Sequence, residues 1–136
     1  MSLKDHLIDR KKSEILKNEY LESNYRTINT SRPYDKPDSR MYTFDLDIMQ
    51  QYLDLIRDEM EKQGIRKKGI RITMAKYPTA DFSDVKPKYA GYQTIVISAA
   101  DLDAVPENTE GKQGFVEPAS LDIPEMNFST ITPPYD

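Results

Sequence analysis

The sequence predicts an α+β domain in which two main helices pack on a small antiparallel sheet of two or three strands, followed by an extended C-terminal arm. Three observations support this prediction. The chain has 136 residues, the usual size of one domain. Residues 46–60 have the apolar periodicity of an amphipathic helix. Residues 70–77 and 92–99 read as strands, and no crossover helix fits between them, which favours antiparallel pairing.

The chain is therefore predicted to form one domain over residues 1–136 with four parts. These are an N-terminal helix (1–23), a linker (24–40), a core of helix plus β-hairpin (41–100) and an acidic extended arm (101–136).

The N-terminal helix is expected to start after Ser2, a good capping residue, and to continue to about Glu22. Its apolar residues point in several directions instead of forming one stripe. We expect such a helix to pack peripherally or to contact another chain, either a protein partner or a second copy in a homo-oligomer. Pro33 and Pro37 identify the following segment as a linker.

The central helix carries the clearest helix signals in the chain. Asp45 is a suitable N-cap, and Gly64 supplies the left-handed position that often ends a helix. In the first strand after this helix, Ile70, Ile72 and Met74 share one face. A third, short strand is expected from residues 40–44.

The last 36 residues form the arm, which holds eight acids and one base and is rich in proline. We expect it to lie extended over the body, with disorder concentrated near residues 103–114. Its negative charge favours either folding back onto the mildly basic body or repulsion of nucleic acid and membrane surfaces. The sequence contains neither a secretory signal nor an apolar run long enough for a membrane span, so we expect a cytoplasmic protein.

Most catalytic and cofactor chemistry lacks the residues it needs. The chain has no cysteine, a single histidine (His6) and five isolated glycines. Thiolate chemistry is excluded, and neither a histidine-based metal site nor a phosphate-binding loop is indicated. We therefore predict no metal and no cofactor.

Tyrosine is abundant, with nine residues and no tryptophan. The candidate binding residues are those flanking the long loop between the two strands, together with one arginine of the first strand: Arg71, Lys76, Tyr77, Tyr89 and Tyr92. The alternative interpretation of these tyrosines is packing at the strand ends.

These observations favour a non-enzymatic binding or protein-interaction module. One alternative is a small hydrolase or nuclease-like enzyme that uses carboxylate, Arg71, Lys76 or Tyr77 for acid–base work. Another is RNA binding through the basic turn at residues 66–71, although nucleic acid is the less favoured partner.

Several short motifs resemble a family of small uncharacterised proteins common in Bacteroidetes genomes. The motifs are the segment Pro37–Phe44, the helix that follows it, the Gly-Ile-Arg-Ile string at 69–72, the strand at 94–98 and the Pro133-Pro134 pair. Ala99-Ala100 stands where that family often has Pro-Thr. The resemblance implies that the arm belongs to the fold, and it implies no activity, cofactor or substrate.

Overall fold

A computed structural model describes residues 2–79, 86–104 and 120–134. Its α-helices are α1 (Arg10–Glu22), α2 (Asn24–Asn29) and α3 (Leu46–Lys62). Its strands are β1 (Met41–Thr43), β2 (Lys68–Lys76), β3 (Gln93–Asp101) and β4 (Thr130–Thr132). The predicted α+β class is confirmed. Within the described ranges, no helix combines the length and apolar character needed to cross a membrane.

The N-terminal region differs from the prediction at both ends. Residues 3–6 form a separate 3₁₀ turn, and α1 begins only at Arg10 because Asp9 caps it by accepting a hydrogen bond from the backbone N–H of Lys12 at 2.8 Å. The segment expected to be a plain linker contains α2, which continues the helical course after a break at Ser23. The hydroxyl of Tyr25 joins α2 to the segment before β1, since it donates a hydrogen bond to the carbonyl oxygen of Asp38 at 2.7 Å.

The central helix α3 has the predicted caps at both ends. The carboxylate of Asp45 accepts a hydrogen bond from the N–H of Ile48 at 3.0 Å. At the other end Gly64 has a φ of 72°, and the N–H of Ile65 reaches the carbonyl of Met60 at 3.0 Å. This arrangement satisfies the last carbonyls of the helix and turns Ile65 into the core.

β2 and β3 form an antiparallel ribbon in which Lys68 lies opposite Asp101 and Lys76 lies opposite Gln93. The predicted third strand exists as β1, but it pairs with β4 of the C-terminal arm in a second two-stranded sheet instead of extending the ribbon. The arm therefore supplies part of the fold. The predicted disorder near residues 103–114 falls mainly outside the described residues.

The edge of β3 that faces away from β2 is occupied by segments that are not regular strands. Met126 exchanges two backbone hydrogen bonds of 2.8 Å with Ile97. Further along, the carboxylate of Asp38 accepts the N–H of Gln93 at 2.8 Å, and the hydroxyl of Ser39 donates to the carbonyl of Gln93. Both residues of the Asp38-Ser39 pair are buried. These contacts fix the linker and the arm against the same strand.

The main core lies between α3 and one face of β3. It contains three residues of α3, three of β3 and two from the connecting segments: Tyr52, Ile56, Met60, Ile95, Ile97, Ala99, Ile65 and Ile123. The hydroxyl of Tyr52 lies 3.0 Å from the carbonyl oxygen of Ile97 and 2.9 Å from that of Pro124. Burial raises the pKa of Tyr52 above its usual value. Helix, strand and arm thus meet at one buried hydroxyl.

Replacing Asp38 by alanine is expected to lower the free energy of unfolding by about 2–4 kcal/mol, because the buried N–H groups of Ser39 and Gln93 lose a charged acceptor. Urea denaturation followed by circular dichroism measures the change. Asp35→Ala, three residues earlier on an exposed turn, is the control and should change the value by less than about 0.5 kcal/mol. Equal effects of the two substitutions would contradict the role assigned to Asp38.

Ile56→Ala is expected to destabilise the protein by about 2–5 kcal/mol, since the side chain of Ile56 is 2% exposed and its removal leaves a cavity between α3 and β3. The neighbouring Leu55 is 42% exposed, so Leu55→Ala provides a matched control with a much smaller expected loss. Thermal and urea unfolding of both variants would test which side of α3 carries the packing energy.

Candidate functional site

The three predicted site tyrosines lie together, but they are buried. Tyr77, Tyr89 and Tyr92 form a second core cluster with Ile131 of β4. The rings of Tyr77 and Tyr89 stack with centroids 6.2 Å apart, and the hydroxyl of Tyr77 donates to Asn127 at 2.6 Å. The structure therefore places these tyrosines in packing roles at the end of the ribbon.

A cleft of about 780 Å³ opens beside this cluster. Lys76 and Tyr92 of the predicted set line it, together with prolines from three separate segments and the cations Arg32, Lys36 and Lys88. Arg32 has a structural task, because its guanidinium lies 4.3 Å from the centre of the Tyr92 ring and donates to the carbonyl of Gly91 at 2.9 Å.

The structure does not bring Arg71 and Lys76 into one site. They lie at odd and even positions of β2, so their side chains leave opposite faces of the ribbon. They are also roughly 17 Å apart along the strand at about 3.4 Å per residue. The acid–base constellation considered for an enzyme is therefore not assembled by these residues, and Tyr77 is occupied by its hydrogen bond to Asn127.

A different surface emerges at β2, where an apolar face is left open. Ile70, Ile72 and Met74 lie opposite Ala99, Ile97 and Ile95 and share their face of the ribbon. The β3 residues are buried beneath α3, whereas the three β2 residues are 50%, 60% and 60% exposed. The helix thus covers one strand and leaves its neighbour uncovered.

A groove of about 420 Å³ runs between α3 and the start of β2. Its apolar lining comes from Leu53, Ile56 and Met60 of the helix and Ile70 of the strand. Asp54 and Arg57 stand at its polar rim. An apolar floor with a few polar groups at the rim is typical of a binding site for another molecule.

The outer edge of β2 carries backbone groups that point away from β3. Backbone hydrogen bonds link Lys67 to Leu102 and Tyr77 to Tyr92. The backbone N–H and C=O groups of the odd-numbered residues of β2 therefore point to β3, and those of the even-numbered residues point outwards. Among the residues that the structure describes, no backbone partner is found for the outward groups of Ile70, Ile72 and Met74. Such an edge is a template for an added strand.

Two lysines flank the exposed apolar residues of β2, Ile70, Ile72 and Met74, which we call the open stripe. Lys68 and Lys76 occupy the even positions on either side of Ile70, Ile72 and Met74, so all five side chains lie on one face. Lys68 reaches Glu61 of α3 at 2.6 Å, which places it at the end of the groove. That hydrogen bond and the lysine charge lower the pKa of Glu61 below its usual value.

The basic turn is largely neutralised from within the chain. Asp103 accepts Arg66 at 3.1 Å and lies 3.9 Å from Lys67, while Lys68 is paired with Glu61. Over the described ranges, no group of three or more candidate ligands could hold a metal ion.

We compared the chain with protein families, curated proteins and solved structures. The chain matches no protein-family model, and no curated protein or solved structure is found to be similar.

Sequence reasoning identified the apolar alternation of β2 but missed the groove beside it. The signal that could have found the surface is the pair of lysines at the two ends of the alternating stripe, because edge strands often carry lysine. The position of α3 above β3 has no counterpart in the local sequence.

Tyr77→Phe should lower the free energy of unfolding by about 1–2 kcal/mol, because it leaves the side-chain oxygen of Asn127 without its donor. Tyr34→Phe removes a hydroxyl from a fully exposed ring and serves as the control. If the two variants unfold at the same urea concentration, the hydrogen bond from Tyr77 to Asn127 does not stabilise the fold as described.

Proposed function

We propose that the protein is a non-enzymatic interaction module that binds an extended segment of a protein partner at the free edge of β2. The segment adds a third strand to the ribbon and lays alternate side chains over the open stripe and into the groove beside α3. This mode of recognition uses backbone hydrogen bonds for affinity and side-chain pockets for specificity.

The observation that carries the proposal is the coincidence of the open apolar stripe with the outward-facing backbone groups. Ile70, Ile72 and Met74 supply both, because each is even-numbered and so directs its backbone outwards and its side chain to the α3 side. An added strand would therefore satisfy the edge and bury the stripe in a single event.

The charges at the stripe define the partner segment. Lys68 and Lys76 stand four positions from Ile72 on either side. A matching antiparallel segment presents apolar residues at three alternate positions and Asp or Glu at each flank. Opposite charges across neighbouring strands stabilise pairing, and like charges oppose it.

A second copy of β2 fits this edge poorly. Antiparallel self-pairing centred on Ile72 would set Lys68 opposite Lys76 of the other copy at both ends of the contact. The repulsion comes from these two lysine contacts, because Arg66 and Lys67 are paired with Asp103 and Arg71 lies on the opposite face of the ribbon. The lysines thus oppose self-pairing while favouring an acidic partner.

Selection from a displayed library of nine-residue peptides tests the proposal. We expect enriched peptides to carry apolar residues at alternate positions flanked by Asp or Glu, and to slow hydrogen exchange at the amides of Ile70, Ile72 and Met74. Failure to enrich any peptide, or binding that leaves these three amides unchanged, would overturn the proposed site.

Ile72→Pro is expected to weaken an enriched peptide about tenfold or more, because proline removes an outward N–H that the peptide needs. The internal ladder is retained, since the N–H of residue 72 does not face β3. Ile72→Val keeps the N–H and the apolar surface, and should bind the peptide like the wild type. Fluorescence anisotropy gives the dissociation constants.

Lys76→Glu gives a second test that does not disturb the backbone. It should weaken the acid-flanked peptide several-fold, whereas Lys17→Glu makes the same charge change on α1 and should leave the affinity unaltered. Equal affinities for the wild type, Ile72→Pro and Lys76→Glu would eliminate β2 as the binding edge.

A further inference from the structure

Helix α1 packs only weakly against the rest of the described chain. None of its 13 residues is buried. Ile15 and Leu16, at its centre, are 61% and 63% exposed. Tyr20 contacts Tyr25 of α2 with ring centroids 5.9 Å apart, which ties the end of α1 to the body. The middle of the helix thus presents two large apolar side chains to its surroundings.

Ile15 and Leu16 belong to one face of α1. At about 100° per residue, an arc of about 120° contains two apolar and three charged positions. They are Lys12, Ile15, Leu16, Glu19 and Glu22. The face therefore begins with a base, has an apolar centre and ends with acids. Lys17 lies outside this arc.

The charges of α1 run against its own dipole. The first turn holds three bases, Arg10, Lys11 and Lys12, and no acid; the capping residue Asp9 lies just before it. The last turn contains no base. Positive charge at the N-terminus and negative charge at the C-terminus are unfavourable for an isolated helix. Within the described residues neither Lys12 nor Glu19 makes an ion pair.

An antiparallel second helix of the same sequence corrects both ends at once. Its acidic end lies beside the basic first turn, and its basic end lies beside the acidic last turn. A parallel copy would instead set Lys12 beside Lys12 and Glu19 beside Glu19. The charges of Lys12 and Glu19 are thus complementary in one orientation only.

We infer that α1 pairs with α1 of a second copy of this chain, antiparallel, about a two-fold axis between Ile15 and Leu16. In this register Ile15 packs against Leu16 of the second copy, and Lys12 lies beside its Glu19 at two symmetric places. The helix is roughly 20 Å long, so the contact is small and the dimer forms reversibly.

Sedimentation equilibrium of the full chain from 10 µM to 1 mM tests the inference, with a dissociation constant on the order of 100 µM expected for so small a contact. Lys12→Glu and Glu19→Lys should each raise that constant about tenfold or more, because each sets two like-charged pairs across the axis. Both changes improve the match to the helix dipole, so loss of helix does not explain loss of dimer.

The charge-exchanged double variant K12E/E19K restores both pairs and should dimerise within about threefold of the wild type. An equimolar mixture of the two single variants should form a heterodimer about tenfold or more tighter than either homodimer. Lys17→Glu, with the same charge change outside the arc, should leave the constant unchanged within about twofold.

A wild-type chain that stays monomeric at 1 mM would overturn the inference. So would single variants that dimerise like the wild type, or a double variant that remains monomeric. The result is separable from peptide binding at β2, because Ile72→Pro should leave the dimer intact and Lys12→Glu should leave peptide affinity intact.

Discussion

The structure depends on β3 being paired along both edges. On one side it forms the ladder with β2, and on the other it accepts Asp38, Ser39 and Met126, which come from segments nearly ninety residues apart. Buried backbone groups must find partners, so these irregular contacts are as necessary as the ladder itself. They explain how a two-stranded ribbon, which is only marginally stable in isolation, can form the centre of a stable fold.

This pairing also produces the asymmetry of the ribbon. The linker and the arm hold β3 from the far side, and α3 packs over it, with Tyr52 joined to the carbonyl groups of Ile97 and Pro124. β2 remains at the margin, with its apolar face half covered and its outer backbone groups directed away from the described chain. The site proposed for an extended partner is therefore a consequence of where the core forms.

Two kinds of surface follow from the same architecture. The edge of β2 combines lysines with an apolar stripe, and we propose that it binds a different, acidic chain. The face of α1 carries both signs of charge, and we propose that it binds a second copy of itself. The tyrosine cluster belongs to neither surface, because its three rings are buried in the second core, where Arg32 stacks on Tyr92. Of the candidate binding residues beside the long loop, Tyr77, Tyr89 and Tyr92 are therefore buried, whereas β2 and α1 keep exposed apolar side chains.

The sequence by itself determined the α+β class, the limits of α3 with its caps at Asp45 and Gly64, and the antiparallel ribbon, because these depend on local periodicity and on capping chemistry. It also indicated β1, but it could not identify β4 as its partner, since that pairing joins residues far apart in the chain. Tertiary structure alone decided that Tyr77, Tyr89 and Tyr92 are buried and that Ile70, Ile72 and Met74 are open. The alternation of side chains fixes which residues share a face of the ribbon. Only the position of α3 decides that this face is covered at β3 and exposed at β2.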